Sequence, residues 1–130
     1  MNTEPGSIGW IDMVTTDAKE VQEFYSEVVG WTPSSVSMGD YDDYTMMNGD
    51  QPATGVCHHK GMNSDIPPSV WMIYINVADL DKSLAAVEKR GGKKLTEIKN
   101  MGSYGRACYI EDPGGARCAL FEPPSKDAGN

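Results

Sequence analysis

Asp12, Cys57 and the adjacent pair His58 and His59 are the residues whose types could do proton-transfer or nucleophilic chemistry. A carboxylate beside an imidazole orients the ring and raises its basicity, giving a base poised near neutrality. Strand alternation allows that pairing for Asp12 with His59. The structural alternative, Asp12 bound to backbone or to Arg117 with His59 at a rim, is the weightier expectation. His58 and His59 together suggest a metal, but neighbours on a strand point to opposite faces and do not converge on one ion. That alternation sends His58 to the helix side, where an imidazole has no evident purpose. For Cys57 the sequence identifies no partner that would lower its pKa, so it reads as a small buried thiol acting as an apolar residue.

These residues lie in the first of two copies of one pattern. Ile8–Thr15 suits a strand; from Asp17 the period turns helical, with Asp17 as N-cap, Glu20 completing a capping box and Gly30 as the stop. Val21, Phe24, Tyr25 and Val28 fall at i, i+3, i+4 and i+7 and predict the buried stripe of this helix, so that Phe24→Asp is expected to be severely destabilising. Strands are predicted over 33–38, 41–47 and 54–59, with a turn at 48–52. Residues 60–69 form a polar, proline-containing linker, after which the pattern restarts. A strand begins at Trp71, and Asp79 caps a helix whose stripe is Leu80, Leu84 and Val87, ending at Gly91 and Gly92. Strands then fit 94–99, 104–111 and 116–122, residues 1–7 read as a mobile lead, and the tail from Pro123 reads as frayed.

Asp17 and Asp79, Gly30 and Gly92, and Asp50 and Asp112 are each separated by 62 positions. A helix cap, a helix stop and a turn residue thus keep one register through both halves. This predicts an α+β chain of two βαβββ modules, about residues 8–60 and 70–122, within a single domain spanning 1–130. One helix cannot cover a half's own sheet, so the halves are expected to pair.

The bulk properties narrow the function classes. A net charge of −8 argues against nucleic acid and anionic membrane as partners. Three cysteines without a CxxC suggest neither a disulfide framework nor a zinc cluster. The first residues have no basic region followed by an apolar core, and no apolar run approaches the roughly 20 residues of a membrane-spanning helix, so a cytoplasmic protein is expected.

The run Trp10, Asp12, Met13, Thr15 and Asp17 leading to Phe24-Tyr25 and Val29-Gly30-Trp31, then Val77 with Asp79, Gly91-Gly92-Lys93, and Asp112-Pro113 with Gly115, resembles the vicinal oxygen chelate superfamily of glyoxalase I, bleomycin-resistance proteins and extradiol dioxygenases. The resemblance implies paired modules whose strands curve into a cup, helices outside and a ligand inside. It also implies, for the enzymes of the family, a divalent metal held by His and Glu on the first and last strands of each module. Carried over residue by residue, those ligand positions are Trp10, Cys57, Met72 and Ala119. None is His, Glu or Asp, and this departure from the enzyme pattern predicts a metal-free cup with no cofactor.

If Trp10 faces inward, alternation places Asp12 and Val14 with it, and Met72, Tyr74 and Asn76 in the second module. Cys57 and His59 share that face, as do Arg117, Ala119 and Phe121. The expected ligand-binding set is therefore Trp10, Asp12, Cys57, His59, Met72, Tyr74, Arg117 and Phe121, a mostly apolar lining with a few polar groups. Trp31 and Trp71 are expected against helices, and Tyr104 or Arg106 near a glycine-rich mouth. Three functions stay open. One is metal-independent binding of a small organic molecule, as in the drug-sequestering members. Another is a metal-free lyase, isomerase or hydrolase using Asp12 or His59. The third is an interaction domain whose cup is filled by its own side chains. The resemblance permits a homodimer.

Overall fold

A computed structural model describes residues 3–124. The first two residues of the expected lead, and residues 125–130 of the tail expected to fray, lie outside the described residues. The chain is α+β, with nine strands and two α-helices among the described residues, in the order β1 (Ile8–Thr15), α1 (Ala18–Val29), β2 (Thr32–Ser37), β3 (Asp42–Asn48), β4 (Gln51–His58), β5 (Trp71–Asn76), α2 (Leu80–Lys89), β6 (Lys93–Lys94), β7 (Lys99–Asn100), β8 (Arg106–Glu111) and β9 (Arg117–Glu122). No helix among the described residues is long and apolar enough to cross a membrane. The chain divides into two compact units, Ile11–Trp71 and Met1–Trp10 with Met72–Asn130.

In the Ile11–Trp71 unit the strand order is β2-β3-β4-β1, antiparallel except for the parallel pair of β1 with β4. Asp17 caps α1 as expected, its Oδ1 accepting the Glu20 N–H at 3.1 Å, and Gly30 ends the helix at φ 89°. The buried stripe differs from the expected one. Ala18 and Gln22 are the buried residues of α1, with Val21 and Tyr25 half-buried, while Phe24 is 56% and Val28 62% exposed. The buried stripe is the expected one moved by three residues, about 300° around the helix, so the helix is turned by about 60° from the expected setting. The physical reason is Ala18: its small side chain lets α1 lie close over Met46 and Val56, and the residues in phase with it are 21, 22 and 25. Tyr25 packs edge-on against Trp71 and lies beside Trp31, with ring centroids at 5.3 and 5.9 Å, so both tryptophans join the helix as expected.

In the other unit the order is β5-β9-β8-β6, with β7 pairing β8 and β5 parallel to β9. Leu80 and Leu84 of α2 pack on Cys108, Ile110 and Leu120, and Val87 completes the stripe. Asp79 repeats the cap, accepting the Lys82 N–H at 3.1 Å. The stop does not keep the offset. Gly91, at φ 87°, is the left-handed residue, whereas Gly92 is where backbone comes close, since a Cβ there would meet the Glu111 carbonyl at 2.7 Å. The strand predicted over 94–99 is broken into β6 and β7, because Thr96 Oγ1 accepts the Tyr109 N–H in place of a regular ladder. The start of the chain belongs to this unit: Gly6 N–H donates to the Asn76 carbonyl, Asn76 N–H to the Ser7 carbonyl and Asn76 Nδ2 to Ser7 Oγ.

Candidate ligand-binding faces

Each unit has one strand face covered by its helix and one turned away from it. In the Ile11–Trp71 unit Met13 and Val56 are register partners on the helix side, which puts Asp12, Gly55 and Cys57 on the other. The Asp12 side chain lies flat across Gly55; a Cβ at position 55 would stand 1.9 Å from Asp12 Oδ1. Cys57 follows on the same face. Burial pushes its thiol well above the usual range, and the neighbouring Asp12 and Asp43 carboxylates push it further. These effects favour the thiol over the thiolate, which is the nucleophilic form.

Asp43, 5% exposed, is the polar residue of this face that sequence reasoning missed. Its Oδ1 accepts the His58 N–H at 2.8 Å and lies 3.4 Å from His58 Nδ1. Tyr41 meets the His58 ring edge-on, and Lys60 Nζ sits 4.8 Å from the Tyr41 ring centre. His58 is thus accounted for: β4 ends there, the ring escapes the alternation of the pleat, and a buried carboxylate receives it. A burial signal for Asp43 was absent from the sequence, where it is one of four charged or aromatic residues in the run Asp40-Tyr41-Asp42-Asp43. His59 lies one residue past β4, half-buried, its N–H donating to the Thr15 carbonyl at 2.8 Å.

In the other unit, Tyr74, Ala119 and Tyr109 are successive partners across β5, β9 and β8, and Asn76, Phe121 and Ala107 form the next row. Their neighbours Ile75, Cys108 and Leu120 pack under α2, so the named rows lie on the face turned away from it. Ala119 is fully buried, and the tyrosines on either side close over it, hydroxyl to hydroxyl, rings edge-on at 5.8 Å. Met72 is buried, Tyr74 and Phe121 are half-buried, and Trp10 is partly exposed. Asn76, expected as a polar group for a ligand, is 2% exposed and tied to Ser7. Arg117 is exposed and its Nε donates to Glu111 Oε1 at 3.2 Å, where Lys93 also reaches Glu111. Arg106, expected near a mouth, is held by Glu122 and Asp81 instead, and Tyr104 is exposed in a short 3-10 turn. Tyr109 could have been found from sequence only by pairing β8 with β9 in register.

The four positions where the resemblance expects metal ligands do not fit a divalent metal. Trp10 and Ala119 offer no donor, Met72 is a buried thioether, and one cysteine, Cys57, does not by itself make a site for a divalent metal. Among the described residues no group of three His, Cys, Asp or Glu is placed to hold a metal ion.

Comparison with known proteins agrees with this architecture. The chain is 31% identical over 102 residues to a glyoxylase-like domain-containing protein of Didymella fabae, covering 76% of this chain and 79% of that one. It is 26% identical over 129 residues to the anthracycline biosynthesis protein DnrV of Streptomyces peucetius, covering 90% of this chain and 47% of DnrV. CFP32 of Mycobacterium bovis matches at 31% over 121 residues, 90% of this chain and 46% of CFP32. The chain spans about half the length of DnrV and CFP32. Methylmalonyl-CoA epimerase from Mycobacterium tuberculosis shares the fold at a TM-score of 0.61 and 16% identity, over 100% of this chain and 97% of the epimerase. Residues 7–120 match the family model, and the chain belongs to the Glyoxalase/Bleomycin resistance protein/Dioxygenase superfamily.

Proposed function

We propose that this chain is a metal-independent, glyoxalase/bleomycin-resistance-like protein that binds a small organic molecule. The carrying observation is the donor chemistry at positions 10, 57, 72 and 119, which is unfit for a divalent cation, set among apolar and aromatic side chains suited to an organic ligand. On each unit the candidate contacts are those of its own face: Trp10, Met72, Tyr74, Arg117 and Phe121 on one, and Asp12, Cys57 and His59 on the other. DnrV, by its name, serves anthracycline biosynthesis, which supports an organic ligand for a relative of this domain.

The test is a thermal-shift and ligand-observed NMR screen of aromatic and carbonyl compounds, run with and without chelator. Saturable hits that survive chelation are expected. Hits that vanish with chelator and return with a divalent metal would overturn metal independence. A second reading, proton-transfer catalysis without metal, is favoured by the Asp43–His58 pair rather than by Asp12 with His59. It requires turnover of a screened compound that is lost in His58→Gln while binding persists. A homodimer, which the family resemblance permits, is the proposed assembly; a monomer in gel filtration ends that proposal.

A further inference from the structure

We infer that the paired hydroxyls of Tyr74 and Tyr109 form a recognition site for one oxygen of an aromatic ligand, a carbonyl or a phenolate. The inference rests on the small-molecule reading above and names the chemistry that reading leaves open. The pair is a polar feature set within an apolar patch. Its neighbours on the same face are Ala119 between the two rings and, in the adjoining row, Ala107, Phe121 and Asn76, the last buried and bound to Ser7, with Met72 two residues before Tyr74 on β5. Ala119 is the position that makes the pairing feasible: with no side chain beyond Cβ on β9, rings from strands on either side meet above it.

The chemistry follows from the inventory of a phenol, which carries one donor proton and two acceptor lone pairs. A hydroxyl that accepts from a second hydroxyl becomes a stronger donor, because the first bond polarises it. Tyr109 is 4% exposed and Tyr74 half-buried, so Tyr109 is the supporting member and Tyr74 the one that meets ligand. A low-polarity surround strengthens a bond to an oxygen carrying full or partial negative charge more than one to an ether, and the flanking ring of Phe121 and the Met72 thioether favour an aromatic body. Tyr109 has a fixed place besides, since its N–H and carbonyl are held by Thr96 and Leu95.

The probes are para-nitrophenolate and para-nitroanisole, which share ring and nitro group and differ in the oxygen offered. They are titrated by absorbance into the whole chain at a pH where the phenol is ionised. The phenolate is expected to bind about tenfold or more tighter than the anisole, as one charged hydrogen bond provides. Tyr74→Phe is expected to erase that ratio while leaving anisole affinity within about twofold, and Tyr109→Phe to shrink it. A ratio unchanged in both variants overturns the inference, and so does a wild type that binds both probes equally; in the latter case the small-molecule reading stands. Binding of neither probe also overturns it, and the library screen then judges the broader reading alone. Should Tyr74→Phe fail to fold, Tyr109→Phe carries the same comparison. A merely structural role for the pair would alter stability and leave the ratio unmoved.

Discussion

The carboxylate of Asp12 occupies the space that a Cβ on Gly55 would fill, 1.9 Å from where that carbon would stand. The two residues are partners in the parallel pairing of β1 with β4, so Asp12 can lie across the neighbouring strand only because position 55 has no side chain. Both the aim of Asp12 and its approach to Cys57 depend on this absence.

Gly55→Ala should therefore cost about 1–3 kcal/mol in an otherwise native chain, as overpacking does. In an Asp12→Ala background the same change should cost close to nothing, because its clash is gone. Urea melts of the four proteins of this double-mutant cycle give the coupling directly. Additive costs would mean that Asp12 moves aside freely.

Phe24 is more exposed than buried, so Phe24→Asp should cost about 0.5–1.5 kcal/mol, the value of the edge-on contact with Tyr25 at 5.0 Å. Tyr25→Ala should cost at least twice as much, since Tyr25 also meets Trp31 and Trp71. Thermal melts of the two variants rank them, and the reverse order would return α1 to the rotation its apolar spacing suggests.

Glu122 accepts bonds from Arg106 and from the Leu80 N–H at the start of α2, and these hold its carboxyl below the ordinary glutamate range. A depressed folded-state pKa gives stability that is present above the ordinary glutamate value and lost as pH falls through the depressed one. Glu122→Gln should thus be less stable than wild type at neutral pH, with the gap closing in acid. Urea midpoints across an acid series test this. A gap constant with pH would assign the effect to packing.

Cys57 should resist alkylation by iodoacetamide in the folded protein at mildly alkaline pH, since burial and the two carboxylates keep its thiol protonated. Asp12→Asn should speed the reaction by removing one of those charges, and denaturant should expose all three thiols, Cys57, Cys108 and Cys118. Mass spectrometry of the modified peptides reads each site. Rapid labelling of Cys57 in the native chain would contradict its half-buried, protonated state.

Much of the fold was legible in the residues. Asp17 and Asp79 cap their helices with the same bond at the same distance, and the strands of each half follow in the predicted order. Local signals suffice there, because a cap, a period and a turn act over a few neighbouring residues. The same spacing misled at Gly92, where the sequence offset holds and the left-handed residue is Gly91. Two adjacent glycines are interchangeable in a pattern, and only the approach of Glu111 separates them.

What the sequence determined by itself was the α+β repeat, the family, the alternation that sets Asp12, Cys57, Tyr74 and Phe121 away from the helices, and the want of His, Glu or Asp at positions 10, 57, 72 and 119. What the tertiary structure decided was which residues meet. Asp43 takes His58, Tyr109 takes Tyr74 across Ala119, Glu111 takes Arg117, and Ala18 rather than Phe24 seats α1. These pairs join strands whose register spacing within one strand cannot state. A residue's type and phase fix what its side chain can do and which way it points, while its partner is set by the neighbouring strand that folding brings alongside.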